Sequence, residues 1–256
     1  MRMLRTVALA LLLLGAQSAW AAGCKAQSGP GTAALVELYT SEGCSSCPPA
    51  DRWLSGLAAQ GFSTDKVVPL ALHVDYWDYI GWKDPYAQRE FSLRQRKLTR
   101  LQRQALVYTP QVMLQGKDFR GWGSEAFGRE VARINARPAR AHLALEVRAV
   151  QSDAIEVAIN AEVAGDGADP ALYVAAYQNR LHSQVTAGEN RGRKLPHDYV
   201  VLQWLGPYAF EGSRPLARTL KLPLVPRAVP ADSGVAAFVQ NRRSGEVLQA
   251  LMRPGC

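Results

Sequence analysis

The first half of the chain alternates short apolar runs with amphipathic stretches. Continuous apolar runs at 33–39 and 66–77 predict buried strands, because a strand buried on both faces has no need of polar alternation. Apolar residues at helical spacing, bounded by proline or glycine, predict helices over 45–60, 84–104 and 124–136. Two more strands are predicted around a turn at Gly116. The resulting order, βαβαββα, predicts an α/β layer with partly parallel strands.

The pattern changes after Pro138. Apolar and polar residues then alternate over short stretches broken by Gly, Pro and Asp, with little helical period. Such a pattern is typical of the short strands of an all-β sandwich. We therefore predict an α/β domain over residues 30–137, followed by a β-rich, sandwich-like domain over residues 140–256.

Residues 1–22 have the pattern of a secretory signal peptide. Arg2 and Arg5 precede a short apolar core, and residues 19–21 match a small-x-small cleavage site. No apolar run approaches the ~20 residues that a membrane-spanning helix needs. The sequence thus predicts an exported protein, periplasmic or secreted, without a transmembrane segment. The alternative is a lipid anchor on Cys24, which is disfavoured because a lipobox usually has Leu where this chain has Ala21.

The charge balance suggests which partners to expect. The formal net charge is +8, and it falls by two, to +6, when Arg2 and Arg5 leave with the signal peptide. A moderately basic surface favours anionic neighbours such as lipid headgroups, but the pattern does not indicate nucleic-acid binding. The most basic stretch, RQRKLTRLQR at 94–103, is typical of a solvated helix face, with docking to lipid or a partner as the alternative.

Two of the four cysteines, Cys24 and Cys256, stand far apart in the sequence, and the other two, Cys44 and Cys47, are three positions apart. Domain termini often lie close together in space, and thiols of exported proteins tend to be oxidised. We therefore predict a Cys24–Cys256 disulfide, which leaves Cys44 and Cys47 to pair with each other. Three pairings of four cysteines are possible, and this one leaves no thiol over.

Cys44 and Cys47 lie between a predicted strand and the start of a predicted helix. At a helix start, free N–H groups and the helix dipole stabilise a thiolate, and such cysteines have a pKa of roughly 3.5 to 7.5. An accessible Cys44 thiolate would attack a disulfide, and Cys47 would resolve the mixed disulfide. A strand, a Cys-x-x-Cys pair and a helix start form the arrangement found in thioredoxins. The predicted fold class is therefore α/β, with a thioredoxin-like first domain.

Thr109-Pro110 opens the strand that follows the second predicted helix. In the thioredoxin superfamily, a cis-proline at this place packs against the redox disulfide and lets neighbouring backbone groups pair with an extended substrate. We predict that Pro110 has this role and that Thr109 flanks the groove. The alternative is a proline that merely begins an edge strand.

Four segments together resemble the exported thioredoxin-like proteins grouped as domain of unknown function family 1223. The segments are YTSEGCSSCPPAD, HVDYWDYIGWKDP, YTPQ and GENRGRKLPHDYVV. The resemblance implies a thioredoxin-like fold with a C-terminal β-rich extension, and it implies no established substrate. Ser45-Ser46 stands where ordinary thioredoxins have Gly-Pro, so the direction of any redox reaction stays open. The fourth segment is interpreted as a structural turn against the first domain.

The segment that follows the second predicted strand combines a histidine with several aromatic residues. Trp77 and Asp75 are candidates for controlling substrate access or protonation, and core packing is the alternative for the aromatic residues. His73 could complete a Cys2His site for Cu(I) with Cys44 and Cys47, because Cu(I) prefers soft ligands. This metal site is the alternative to the prediction of no metal and no cofactor.

The sequence as a whole predicts an exported thiol–disulfide oxidoreductase. Its partners would be protein or small-molecule thiols and disulfides, together with a redox partner protein. In this prediction Cys44 attacks, Cys47 resolves and Pro110 shapes the substrate groove. The alternatives are a copper metallochaperone and a non-catalytic binding module in which the Cys44–Cys47 disulfide is a structural staple.

Overall fold

The computed structural model describes residues 24–165, 169–224 and 228–255. Strands account for 43% of these residues and helices for 18%. The strands are β1 (Cys24–Gln27), β2 (Ala34–Thr40), β3 (Val67–His73), β4 (Gln111–Leu114), β5 (Lys117–Asp118), β6 (Ala141–Val150), β7 (Ala154–Val163), β8 (Pro170–Gln178), β9 (Leu181–Gln184), β10 (Lys194–His197), β11 (Val200–Ala209), β12 (Leu216–Pro223), β13 (Ser233–Asn241) and β14 (Val247–Pro254). The α-helices are α1 (Pro48–Ser55), α2 (Arg89–Leu101) and α3 (Glu125–Asn135), and short 3-10 helices lie at Asp75–Ile80 and Pro230–Asp232.

Two predictions concern residues beyond these ranges. The predicted signal peptide, 1–22, lies outside the described residues, and so does Cys256, the predicted partner of Cys24. Cys24 itself begins β1 and is buried. In the part of the chain that is described, no helix combines the length and the apolar character needed to cross a bilayer.

A mixed sheet of eight strands runs through the molecule in the order β14-β13-β8-β11-β3-β2-β4-β5. β2 and β3 are parallel, with Thr40 opposite His73 at their ends. β11 is parallel to β3, with Val200 opposite Ala71, and it is antiparallel to β8. A second, antiparallel sheet has the order β1-β6-β7-β12, and β9 and β10 form a separate two-stranded hairpin.

The predicted fold class, an α/β thioredoxin-like domain followed by an all-β sandwich, is wrong. More than twice as many described residues are in strands as in helices, and β8, β11, β13 and β14 continue the sheet that β2 to β5 begin. The prediction treats the strands after Pro138 as half-buried strands of a separate sandwich. In the structure, almost every residue of β8 and β13 is buried. Burial on both faces is typical of central strands in a covered sheet. The domain bounds 30–137 and 140–256 stay a prediction.

The eight-stranded sheet has a hydrophobic core on each face. On one face, α1 and α3 contribute Leu54 and Phe127 to a core that also contains Leu143 of the second sheet. On the other face, α2 contributes Phe91, whose ring lies 6.3 Å from the Trp204 ring. Burial of these apolar side chains is the main contribution to folding.

A buried ion pair attaches α2 to the sheet. Arg94 Nε lies 2.5 Å from Glu37 Oε1, and Arg94 Nη2 donates to Glu37 Oε2 at 3.1 Å. The guanidinium also lies 4.7 Å from the centre of the Trp204 ring. Burial alone would lower the pKa of Arg94, but the Glu37 carboxylate raises it, so the arginine stays charged. This pair holds the helix against the centre of the sheet.

Candidate functional site

The Cys44–Cys47 disulfide lies between the end of β2 and the start of α1, and its Cα atoms are 5.4 Å apart. The Cys44 N–H donates to the carbonyl oxygen of Ser41 at 3.1 Å. Cys47 is the N-cap residue of α1, and its carbonyl oxygen accepts from the Asp51 N–H at 3.1 Å. Pro48 follows at the first helical position, where a missing N–H costs little.

Both cysteines are buried in this structure. Their exposed fractions are 1% for Cys44 and 0% for Cys47. The sequence predicts an accessible Cys44, so the structure departs from that expectation in its oxidised form. The sequence pattern could not reveal the burial, because a residue that packs on Cys44 lies 146 positions further along the chain.

That residue belongs to the loop 185–193 between β9 and β10, which we name the cover loop. Asn190 in this loop is fully buried, and its Nδ2 donates to the carbonyl oxygens of Glu42 at 2.8 Å and Cys44 at 3.0 Å. Glu189 Oε2 accepts from the Ser45 N–H at 2.9 Å. Hydrogen bonds from the backbone and side chain of Ser45 lower the pKa of Glu189. The cover loop is therefore attached to the cysteine segment on both sides of Cys44.

The cover loop also has an internal structure. The Gly192 N–H donates to the carbonyl oxygen of Val185 at 2.8 Å, which closes the loop. Arg193 Nη1 donates to Asn190 Oδ1 at 3.1 Å and orients that amide. Gly188 has φ +71°, and a Cβ there would lie 3.0 Å from Ile80 Cδ1, so a side chain would be strained and crowded. The GENRGRK stretch thus forms a defined loop on the cysteine segment. The sequence predicts a structural turn against the first domain here and does not place it over Cys44.

Trp77 connects the cysteine segment to the loop that precedes β4. Its Nε1 donates to Thr109 Oγ1 at 2.7 Å, and its Cβ lies 3.1 Å from the position that a Cβ on Gly43 would occupy. The Thr109–Pro110 peptide bond is cis. Asp75 points elsewhere, because its Oδ1 accepts a short hydrogen bond from the Ser92 hydroxyl on α2. Trp77 therefore packs beside Gly43, the residue before Cys44, and binds Thr109, whereas Asp75 binds α2.

His73, at the end of β3, forms a buried pair with Asp84. His73 Nδ1 lies 2.7 Å from Asp84 Oδ2, and neither side chain is exposed. Although burial lowers the pKa of His73, the Asp84 carboxylate raises it to about 9. His73 in turn holds the pKa of Asp84 below its usual value in spite of burial. His73 Nε2 has no hydrogen-bond partner among the residues that the structure describes.

A second buried pair joins the β9–β10 hairpin to the cysteine segment. His197 Nε2 lies 3.0 Å from Glu42 Oε1, and Trp82 Nε1 donates to Glu42 Oε2 at 2.8 Å. The rings of His197 and His73 meet edge to face at 5.0 Å. These contacts fix the end of the hairpin that contains His197. The cover loop at the opposite end makes separate contacts with the cysteine segment.

The geometry gives no support to the copper site of Cys44, Cys47 and His73. The two sulfur atoms are bonded to each other, and His73 is engaged by Asp84. Within the described ranges, no group of three or more His, Cys, Asp or Glu side chains is placed to hold a metal ion.

The fold and the site define a mostly β protein that holds an oxidised Cys-x-x-Cys pair beneath a polar loop. The family model DUF1223, described as protein of unknown function, matches residues 35–240. The chain belongs to this family, which confirms the family resemblance. A comparison with curated proteins found no match.

Two solved structures resemble the chain over most of its length. Protein AGR_C_4864 from Agrobacterium tumefaciens is 28% identical with a TM-score of 0.63, and the match covers 90% of this chain and 97% of that one. HBP35 of Porphyromonas gingivalis is 16% identical with a TM-score of 0.64, and the match covers 89% of this chain and 76% of that one. At that identity, the second likeness concerns the fold alone.

Proposed function

We propose that the protein is an exported thiol–disulfide oxidoreductase that uses Cys44 and Cys47. The observation that carries this proposal is the position of the disulfide at the start of α1, tied through Trp77 to Thr109 and Pro110. A helix start stabilises a thiolate, so reduction would produce a reactive Cys44. The backbone beside Pro110 would then receive an extended substrate, and Thr109 would flank it.

The chemistry follows from the order of the two cysteines. In the reduced protein, the Cys44 thiolate attacks one sulfur of a substrate disulfide and releases one half as a thiolate. Cys47 then attacks the Cys44 sulfur, releases the second half, and restores the Cys44–Cys47 bond. Substrates would be protein or small-molecule disulfides, and a redox partner protein would reset the pair. No cofactor is needed for these steps.

Exchange requires the cover loop to move, because Cys44 is 1% exposed. The contacts that hold the loop on the cysteine segment include two hydrogen bonds from Asn190 and one to Glu189. Each such bond contributes about 1 kcal/mol. Opening the loop therefore costs a few kcal/mol, which is less than global unfolding and compatible with local opening.

Replacing Asn190 by Ala should speed the reduction of the disulfide by dithiothreitol about tenfold or more, because it removes two bonds of about 1 kcal/mol each. The rate is measured by trapping free thiols at increasing times. The matched control is Asn135→Ala, since Asn135 Nδ2 also donates to two carbonyl oxygens, of Thr32 and Lys66. Equal acceleration in both variants would mean that global unfolding exposes the disulfide, and the cover loop would have no gating role.

The proposed activity is tested by cysteine variants of the otherwise intact protein. The reduced wild-type protein should catalyse disulfide exchange in a scrambled test protein, and Cys44→Ser should lose at least about 100-fold of that activity. Cys47→Ser should accumulate a mixed disulfide on Cys44, since the resolving thiol is absent. A Cys44 thiol that titrates near ~8.5 in the reduced protein, without catalysis, would remove the proposal.

A second candidate is a non-catalytic module in which the disulfide is a structural staple, and the burial of both cysteines favours it. The reduction potential separates the two functions. A structural disulfide typically has a potential below about −300 mV, whereas a catalytic pair lies higher. A potential below that value, together with full structure in the Cys44→Ser, Cys47→Ser double variant, would select the staple.

A further inference from the structure

A cavity of about 340 Å³ opens between strand β10 and the first turn of α1, the helix that Cys47 caps. Pro48, which directly follows Cys47, lines one wall. Leu195 and Pro196 line the opposite wall. A cavity of this volume is in the range that accepts small molecules.

The rim of this cavity is positively charged. Arg52, Arg193 and Lys194 line it, and all three side chains are exposed to solvent. In the part of the chain that is described, no ion pair joins any of the three to an acidic group. Unpaired cations around a concave site attract an anion, and arginine guanidinium groups match a carboxylate in shape.

The lining also includes one acidic side chain, Asp51. It is buried at the cavity floor, and its Oδ1 accepts from the Thr40 hydroxyl at 2.8 Å. Burial raises the pKa of Asp51, which favours its neutral form. Three cationic side chains therefore line the cavity, together with one acidic side chain that already accepts a hydrogen bond from Thr40.

We propose that this cavity binds the carboxylate end of a small-molecule disulfide substrate, an inference that rests on the proposed function. The reaction is the oxidation of the protein dithiol by the bound disulfide RSSR. Cys44 attacks one sulfur of the substrate, the substrate S–S bond breaks, and one RS⁻ leaves and takes up a proton. Cys47 then displaces the second RS⁻, so that the protein loses two electrons and RSSR becomes two molecules of RSH.

The same carboxylate loosens the cover loop. Arg193 lines the cavity and donates to Asn190 Oδ1 at 3.1 Å, and Asn190 in turn holds the carbonyl oxygen of Cys44. A carboxylate in the cavity competes with the neutral amide oxygen for the guanidinium, because it carries a full negative charge and can accept two parallel hydrogen bonds from the guanidinium. Substrate binding thus weakens the contact that orients Asn190 toward the carbonyl oxygen of Cys44.

The test compares three small disulfides that differ in charge: dithiodipropionate, which is anionic, hydroxyethyl disulfide, which is neutral, and cystamine, which is cationic. Each oxidises the fully reduced protein, and each rate is divided by the rate of the same disulfide with dithiothreitol. The normalised rate with dithiodipropionate should exceed that with hydroxyethyl disulfide by about tenfold, and cystamine should be slowest. Added salt should reduce the difference.

Variants that remove positive charge then test whether the cavity causes the preference for the anionic disulfide. Arg52→Gln combined with Lys194→Gln should reduce the anion preference to about threefold or less. The matched control, Arg214→Gln with Lys221→Gln, removes the same net charge near β12 and should keep the full preference. Equal normalised rates for all three disulfides in the wild-type protein would overturn the cavity assignment and leave the proposed function standing. Failure of every disulfide to oxidise the protein would overturn the proposed function and this inference with it.

Discussion

Replacing Arg94 by Met should lower the free energy of unfolding by about 3 to 5 kcal/mol. Met fills much of the space beneath the rings of Trp204 and Phe238, which the guanidinium now contacts. The Glu37 carboxylate, however, would stay buried without a counter-charge, and a buried unpaired charge is costly. Urea denaturation at pH 7, followed by circular dichroism, measures the change.

Two further variants separate charge from packing. Arg100→Met, on the exposed side of the same helix, should change the stability by less than about 1 kcal/mol. The double variant Glu37→Leu with Arg94→Met removes both charges and should regain most of the lost stability, because well-packed apolar residues replace buried ion pairs at little cost. A double variant as unstable as the single one would show that the arginine stem, not its charge, stabilises the helix.

Raising the pH through 9 should lower the free energy of unfolding, because His73 then loses its proton. The pKa of His73 in the fold, about 9, is above the ordinary histidine value of 6.5. The proton on His73 therefore stabilises the fold fully below pH 6.5, and this contribution is lost as the pH rises through 9. A tenfold difference in proton affinity corresponds to about 1.4 kcal/mol, so the pKa change from 6.5 to about 9 limits the loss to about 3.5 kcal/mol. Urea denaturation between these two pH values, and just above them, measures it.

The variant His73→Gln isolates this effect. The charged and titratable groups that face His73 are Asp84, Asp51, Glu42 and His197, and all four are kept in this variant. Gln cannot take up a proton, so the difference between the two profiles belongs to His73. Parallel profiles for the wild-type protein and His73→Gln would contradict the raised pKa.

The local elements of the first half could be predicted from the sequence. The predicted helix 124–136 corresponds to α3, because Ser124 caps its first turn through the Ala126 N–H and Pro138 follows its end. The predicted strand 33–39 corresponds to β2. The pairing of β11 with β3 could not be predicted in the same way. Val200 and Ala71 are apolar residues in two distant strands, and nothing in either strand specifies the other as its neighbour.

The candidate site could likewise be predicted only in part from the sequence. The Cys44–Cys47 bond and the cis Thr109–Pro110 peptide were expected from local motifs. The GENRGRK segment was expected as a turn against the first domain, but its contact with Cys44 was not. Asn190 binds backbone carbonyl oxygens, and every residue has a carbonyl oxygen. The sequence therefore carries no local mark of the contact between Asn190 and Cys44.

During synthesis, β3 leaves the ribosome long before β11, its later neighbour in the sheet. Until β11 arrives, the N–H and C=O groups along that side of β3 have no strand to pair with, and open strand edges promote aggregation. The nascent chain therefore exposes an open strand edge until β11 has emerged. Fragments that stop before β11 should accumulate as inclusion bodies.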